Sequence, residues 1–412
     1  MSHGTRKLVI LDVEGVLIPK NRYLFYDVGR NLGLLNLLKL VFYGLIYELG
    51  LISLKSALKR IFRTFKGIRV EHLLQTFARV PLISGAKEFV CELKSKGLKI
   101  ALISSGLPTI VVKELASTLQ ADYAFGFDLG IEGTVLTGEI WGEVIEHKGK
   151  LLIFRRILEA EKLTPRDCVV VADDRNNSPI FLKATLKIGY NPDFVIRVKA
   201  DRVVTGELQE ILPLTVGESK QNVQCPSKNA LLRETIHASG ILIPIVLNAV
   251  GFHAIVLVIL IVALFYVVSE LARLGRMSLP VFSKITSSAA TQAELGEFAT
   301  APLFFALGIL LTLMLIPLPA SSAAIAIFCL GDSTASIFGR MVGRSSLPFN
   351  KGRTVEGSII GFLFALLGGI LFINPYKALV GAFVAMAVES LPLPLNDNLS
   401  MPLVTGAILA FN

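Results

Sequence analysis

A change of composition near residue 229 constrains this chain more than any other feature. Residues 1–228 mix charged and apolar side chains as a globular domain does, whereas residues 236–412 are mostly apolar with short polar breaks. Apolar runs approaching the length of a bilayer crossing belong in a membrane. The 412 residues, 53% hydrophobic and 18% charged, therefore divide into a soluble unit (1–220), a linker (221–228) and an integral-membrane unit (229–412).

The net charge of +9 fits basic residues flanking spans and phosphorylated ligands better than nucleic acid, which is not an expected partner. Cys91, Cys168, Cys225 and Cys329 form no CxxC or His pairing, so reduced thiols are expected. The first apolar run, LVILDVEGVLI, carries two acids and suits a buried strand better than a signal peptide.

In the soluble unit, three short apolar runs end in polar clusters: Leu8–Leu11 in Asp12 and Glu14, Lys99–Ile103 in Ser104-Ser105-Gly106, and Cys168–Val171 in Asp173-Asp174. Helix-like segments lie between them, a pattern that predicts a parallel α/β sheet with its ligand site at the strand carboxyl ends. The residue types suit phosphoryl transfer to an aspartate. Asp12 serves as nucleophile, Glu14 as acid/base, Ser104 and Lys148 as holders of the phosphoryl oxygens, and Asp173 as a magnesium ligand.

DVEGVL, ISSGL, HKGKLLIFRRIL and VVVADDRNNSPIF resemble, in order, the four motifs of the haloacid dehalogenase superfamily, in its phosphoserine-phosphatase-like branch. The resemblance covers about residues 6–212. It implies a Rossmann-like α/β domain, a helical cap over about residues 23–80, and Mg2+ held among Asp12, Glu14, Asp173, Asp174 and Asn177. Three positions depart from the pattern. Glu14 replaces a second aspartate, Asn177 replaces a metal-binding acid, and Asn21 stands where phosphoserine phosphatases carry a glutamate for the substrate amine, so phosphoserine is not the expected substrate. The apolar segment 31–51 reads either as a buried cap helix or as a helix resting in the bilayer interface.

In the membrane unit, candidate spans are 236–250, 254–271, 302–318, 321–338, 358–373, 376–391 and a marginal 401–411, giving six or seven. Arg273, Arg276, Lys284, Arg340, Arg344, Lys351 and Arg353 fall in the long loops. The positive-inside bias places those loops, the soluble unit and both sites on the cytoplasmic side. That topology gathers Arg233, His237, Asp332, Glu389, Asn396, Asp397 and Asn398 at one surface. Asp332, inside a span, is the hardest to explain structurally, because a buried carboxylate there is costly.

LLRETIHASG, GDSTASIFGRMVGRSSLPFNKGRTVEGSIIGF and VESLPLPLNDNLSMPL resemble the dolichol kinase and phytol kinase family over about residues 229–412. The chain as a whole thus resembles a two-domain protein, a Rossmann-like α/β unit with a helical cap followed by an all-α polytopic membrane domain. The second resemblance implies CTP as phosphate donor and an isoprenoid alcohol in the bilayer as acceptor. Asp332 and Asp397 are then catalytic, Asp332 also a metal ligand, and Arg340, Arg344, Lys351, Arg353, His237, Glu389 and Asn398 bind the nucleotide. Two alternatives stay open: a cytidylyltransferase making a CDP-lipid, and a phosphatase whose membrane unit is an anchor or transporter.

Overall fold

In the computed structural model, residues 7–20, 34–48, 51–216, 226–274 and 299–411 are described. Asn21, most of the 221–228 linker, Arg276 and Lys284 lie outside them. The chain separates into two compact units, Met1–Lys220 and Gln221–Asn412.

The N-terminal unit is built on a seven-stranded sheet in the order β4-β3-β2-β1-β5-β6-β7. The strands are β1 Leu8–Leu11, β2 Lys99–Pro108, β3 Tyr123–Glu132, β4 Val135–Trp141, β5 Cys168–Ala172, β6 Leu186–Tyr190 and β7 Arg202–Val204. All neighbours are parallel except β3 and β4. LVIL of β1 and CVVVA of β5 are buried throughout, as continuous β-branched runs must be when helices cover both faces. β1 pairs with β2 on one side and β5 on the other, so chain order reverses at β1. The carboxyl ends of β2, β1 and β5 therefore flank the crevice where such sheets bind ligands.

Three helices, Leu34–Glu48, Leu54–Arg63 and Val70–Ala78, occupy the expected cap region. In the first, Leu40 is buried but Phe42 is 56% exposed, so this apolar helix is not wholly a core helix.

The C-terminal unit is helical: Lys228–Ser239, Leu242–Val250, Phe252–Leu274, Ala301–Leu315, Ala320–Val342, Val355–Ile370, Pro375–Ser390 and Asp397–Phe411. Three stretches, Lys228–Val250, Phe252–Glu270 and Ala320–Val342, are long and apolar enough to cross a membrane, and Ala301–Leu315 and Val355–Ile370 are shorter apolar helices. The first stretch begins eight residues before the expected 236–250 span, which places Arg233 within it as well as His237. Ala320–Val342 is the central helix, its residues 320–329 all buried. It meets Val355–Ile370 backbone to backbone, since a Cβ on Gly361 would stand 2.7 Å from the Ala335 Cβ and 2.8 Å from the Gly331 carbonyl oxygen. Small residues permit this approach between membrane helices.

Candidate active sites

The N-terminal site forms where β1, β2 and β5 end. Asp12 follows β1 and is 5% exposed; its Oδ1 accepts from the Val13 backbone N–H at 2.9 Å and from Lys150 Nζ at 3.0 Å. Asn177 Nδ2 donates to Asp12 Oδ2, and its Oδ1 accepts from Lys150 at 2.7 Å. On β2 the pairing register shifts after Ile103, turning Ser104 inward. Ser104 Oγ accepts from the Leu107 backbone N–H at 2.8 Å and donates to Glu14 Oε2 at 2.7 Å. Gly106 leaves room for this Glu14 conformation, since a Cβ there would stand 2.1 Å from Glu14 Oε1 and move that carboxylate.

Lys150 is the buried lysine of this site, which corrects the expectation for Lys148. The HKGK segment offers two lysines two residues apart, and a helix sends such side chains to different faces. Lys148 caps the helix Gly149–Glu161 in a left-handed conformation, φ 61°, and is exposed. Gly149 begins the helix so close to the preceding turn that a Cβ would lie 1.5 Å from the Glu143 carbonyl oxygen. That seating carries Lys150, 3% exposed, into the core beside Asp12. Burial alone would lower its pKa, but Asp12, Asp174 and Glu14 outweigh that and raise it, so it remains a cation. Lys150→Met should lower phosphomonoester turnover about 10²–10³-fold, while Lys148→Met stays within about twofold; equal losses in a steady-state assay would overturn the correction.

Among the described residues, Asp12, Asp173 and Asp174 offer ligand oxygens within 4.8 Å of one another. Asp173 Oδ1 is buried without a hydrogen-bond partner, as befits a ligand kept for an ion, while Oδ2 meets Lys20 Nζ at 2.6 Å. An all-oxygen carboxylate set suits a hard divalent cation such as Mg2+. Two expected ligands sit differently. Asn177 engages Asp12, Lys150 and Asp174 by hydrogen bonds, and Glu14 turns to Ser104. Burial first, and then Asp12, push the Glu14 pKa up to about 7. Burial also raises Asp12 against the pull of Lys150.

The C-terminal unit gathers a second polar cluster. His237 Nδ1 lies 3.3 Å from Asp332 Oδ2, and its ring packs against Phe305 and Phe328 at centroid distances of 4.3 and 5.0 Å. Arg353 stands among three carboxylates, 3.0 Å from Glu389, 3.1 Å from Asp397 and 3.5 Å from Asp332. It also donates to Ser336 Oγ at 3.2 Å. Glu389 is 1% and Asp332 7% exposed. Arg353, expected on nucleotide phosphates, is thus the carboxylates' counter-ion, and Asp332, expected on a metal, pairs with His237 and Arg353. Arg344 is exposed and Arg340 and Lys351 half-buried; Asn398 Nδ2 donates to the Ala301 carbonyl at 3.2 Å.

The sequence model of the haloacid dehalogenase-like hydrolases matches residues 9–176. A phosphoserine phosphatase of Archaeoglobus fulgidus is 37% identical over 158 residues, 38% of this chain and 46% of that protein. The N-terminal unit is a haloacid dehalogenase-like domain of the phosphoserine phosphatase type. A phosphoserine phosphatase of Methanocaldococcus jannaschii is 28% identical over 208 residues, 50% of this chain and 96% of its own length. Phytol kinase 1 of Arabidopsis thaliana is 30% identical over 156 residues, 33% of this chain and 51% of that protein. The chain thus spans about half the length of the first and third of these relatives. Within the haloacid dehalogenase-like domain, Asp12, Glu14, Ser104 and Asp173, all named from the sequence, lie together with Lys150, which was not; the one signal for it was the glycine that opens its helix.

Proposed function

We propose that this chain is a bifunctional membrane enzyme: a Mg2+-dependent phosphomonoesterase in its N-terminal unit and a CTP-dependent kinase of a long isoprenoid alcohol in its C-terminal unit. The phosphatase reading rests on Asp12, Glu14, Ser104 and Lys150 converging beside Asp173 and Asp174. An Asp12 oxygen attacks phosphorus and the ester oxygen leaves as Glu14 gives it a proton. Glu14 then takes a proton from the water that cleaves the aspartyl-phosphate. Lys150 and Ser104 hold the phosphoryl oxygens. Mg2+, when bound by Asp12, Asp173 and Asp174, neutralises charge on the transferring group.

Because Glu14 must be protonated to expel a poor leaving group, turnover of an alkyl phosphate should fall as pH rises through about 7. An aryl phosphate, whose oxygen leaves unaided, should show a flatter profile. Glu14→Gln should cost about 10²–10⁴-fold on the alkyl ester and less on the aryl one; the same loss on both would remove Glu14 from the acid role.

The kinase reading is supported by the similarity to phytol kinase and by the polar cluster of His237, Asp332, Arg353, Glu389 and Asp397. His237 and Asp332 suit removal of the alcohol proton. The glycine-rich 343–354 loop, with Arg344 and Lys351, suits CTP phosphates, and six or seven spans with cytoplasmic sites fit the basic loops. The test is transfer of label from γ-labelled CTP to a polyprenol by membranes carrying the protein. Pyrophosphate release and a CDP-lipid would instead favour the cytidylyltransferase, and no transfer to any lipid would leave the membrane unit as an anchor or transporter.

A further inference from the structure

One cation in the N-terminal site has no part in the reaction described above. Lys20 Nζ lies 2.6 Å from Asp173 Oδ2, with the Lys20 side chain 37% exposed and that of Asp173 2% exposed. The ammonium thus reaches from the solvent side onto a buried carboxylate. At 2.6 Å the contact is an ion pair within hydrogen-bonding reach, the ammonium donating to the carboxylate oxygen.

The loop after β1 brings it there. The Gly15 backbone N–H donates to the Ile18 carbonyl at 2.8 Å, and Glu14 bridges to Ile18, so the chain doubles back and returns Lys20 to the strand ends. Gly15, at φ +78°, leaves the room: a Cβ there would stand 2.1 Å from Asp173 Oδ2 and 2.9 Å from Lys20 Cε.

We propose that Lys20 is a tethered counter-ion that holds Asp173 while the site is free of metal and is displaced by the incoming divalent cation, setting the concentration at which the site loads. The argument is charge balance. Asn177 contributes no charge, so the cluster consists of three carboxylates, Asp12, Asp173 and Asp174, with Lys150 as fixed cation. A divalent cation together with Lys150 neutralises those three carboxylates. If Lys20 stayed as well, two cations would share one buried carboxylate, which is unfavourable. Without the metal the three carboxylates outnumber Lys150 by two charges, and Lys20 offsets one of them.

This inference rests on the metal reading above, and the experiment separates the two. Mn2+ binding to the full-length protein in detergent is followed by electron paramagnetic resonance, with the binding lost in Asp173→Asn defining this site. Lys20→Gln and Lys20→Ala should each bind Mn2+ about tenfold more tightly than the unaltered protein, and Lys20→Arg about equally. Without metal, both neutral variants should melt lower, and saturating Mg2+ should close the gap. Unchanged affinity in neutral variants with native circular dichroism would overturn the counter-ion role. If Asp173→Asn removes no Mn2+ binding, the metal assignment itself fails, and the role of Lys20 with it.

Discussion

Asp12→Asn should reduce phosphomonoester hydrolysis by the full-length protein by about 10⁴-fold or more, and should abolish the hydroxylamine-sensitive phosphoenzyme formed from a labelled ester. The substitution keeps the side chain's shape at the end of β1, where the backbone N–H of residue 12 donates to the Val171 carbonyl at 3.1 Å. The charge lost is the nucleophile's and also one of those facing Lys150, which retains Asp174 and Glu14 nearby. The sheet order does not depend on that charge, because β1 is held by parallel pairing to β2 and β5. Lys150 keeps its bond to Asn177, so the melting temperature should stay within a few degrees. A variant that folds and retains more than about a hundredth of the activity would point to water as direct nucleophile.

Asp332→Asn should abolish phosphoryl transfer from CTP to an isoprenoid alcohol, a loss of about 10³-fold or more, and leave hydrolysis in the N-terminal unit unchanged. Asn keeps the volume and leaves Arg353 with Glu389 and Asp397, so the helices should still assemble. What goes is the negative charge beside His237, which holds that ring for proton transfer in the proposed reaction. Arg353→Met is the contrasting variant. It takes the guanidinium from among three carboxylates, two of them buried, and breaking such a network costs about 3–5 kcal/mol, so it should lower the yield of folded protein. Label transfer by Asp332→Asn at the unaltered rate would remove the polar cluster from catalysis.

Much of both sites was readable from strand ends and from charges interrupting apolar runs. Asp12, Ser104 and Asp173 each follow a run too apolar for anything but a buried strand, and parallel strands deliver their carboxyl ends to one edge. Asp332 stood out because an acid in an apolar helix demands partners. What could not be read was which partner each side chain takes. Lys150 and Lys148 differ by two residues, and the choice depends on where the helix starts. Glu14 was grouped with the metal ligands, but the register shift in β2 brings Ser104 to it instead. Arg353 looked like a phosphate ligand in a basic loop, yet the close approach of Ala320–Val342 and Val355–Ile370 puts it among carboxylates from distant segments.

Sequence by itself indicated a division somewhere in residues 220–229, the α/β class of the front unit, the helical class of the back unit and the acids after the strand runs. Each of these follows from local composition and periodicity. Tertiary structure alone decided the pairings: Lys150 with Asp12 and Asn177, Glu14 with Ser104, Lys20 with Asp173, and Arg353 with Asp332, Glu389 and Asp397. The reason is that charge pairing in a buried site depends on distances of a few ångströms between residues far apart in the chain, which packing sets and spacing does not encode.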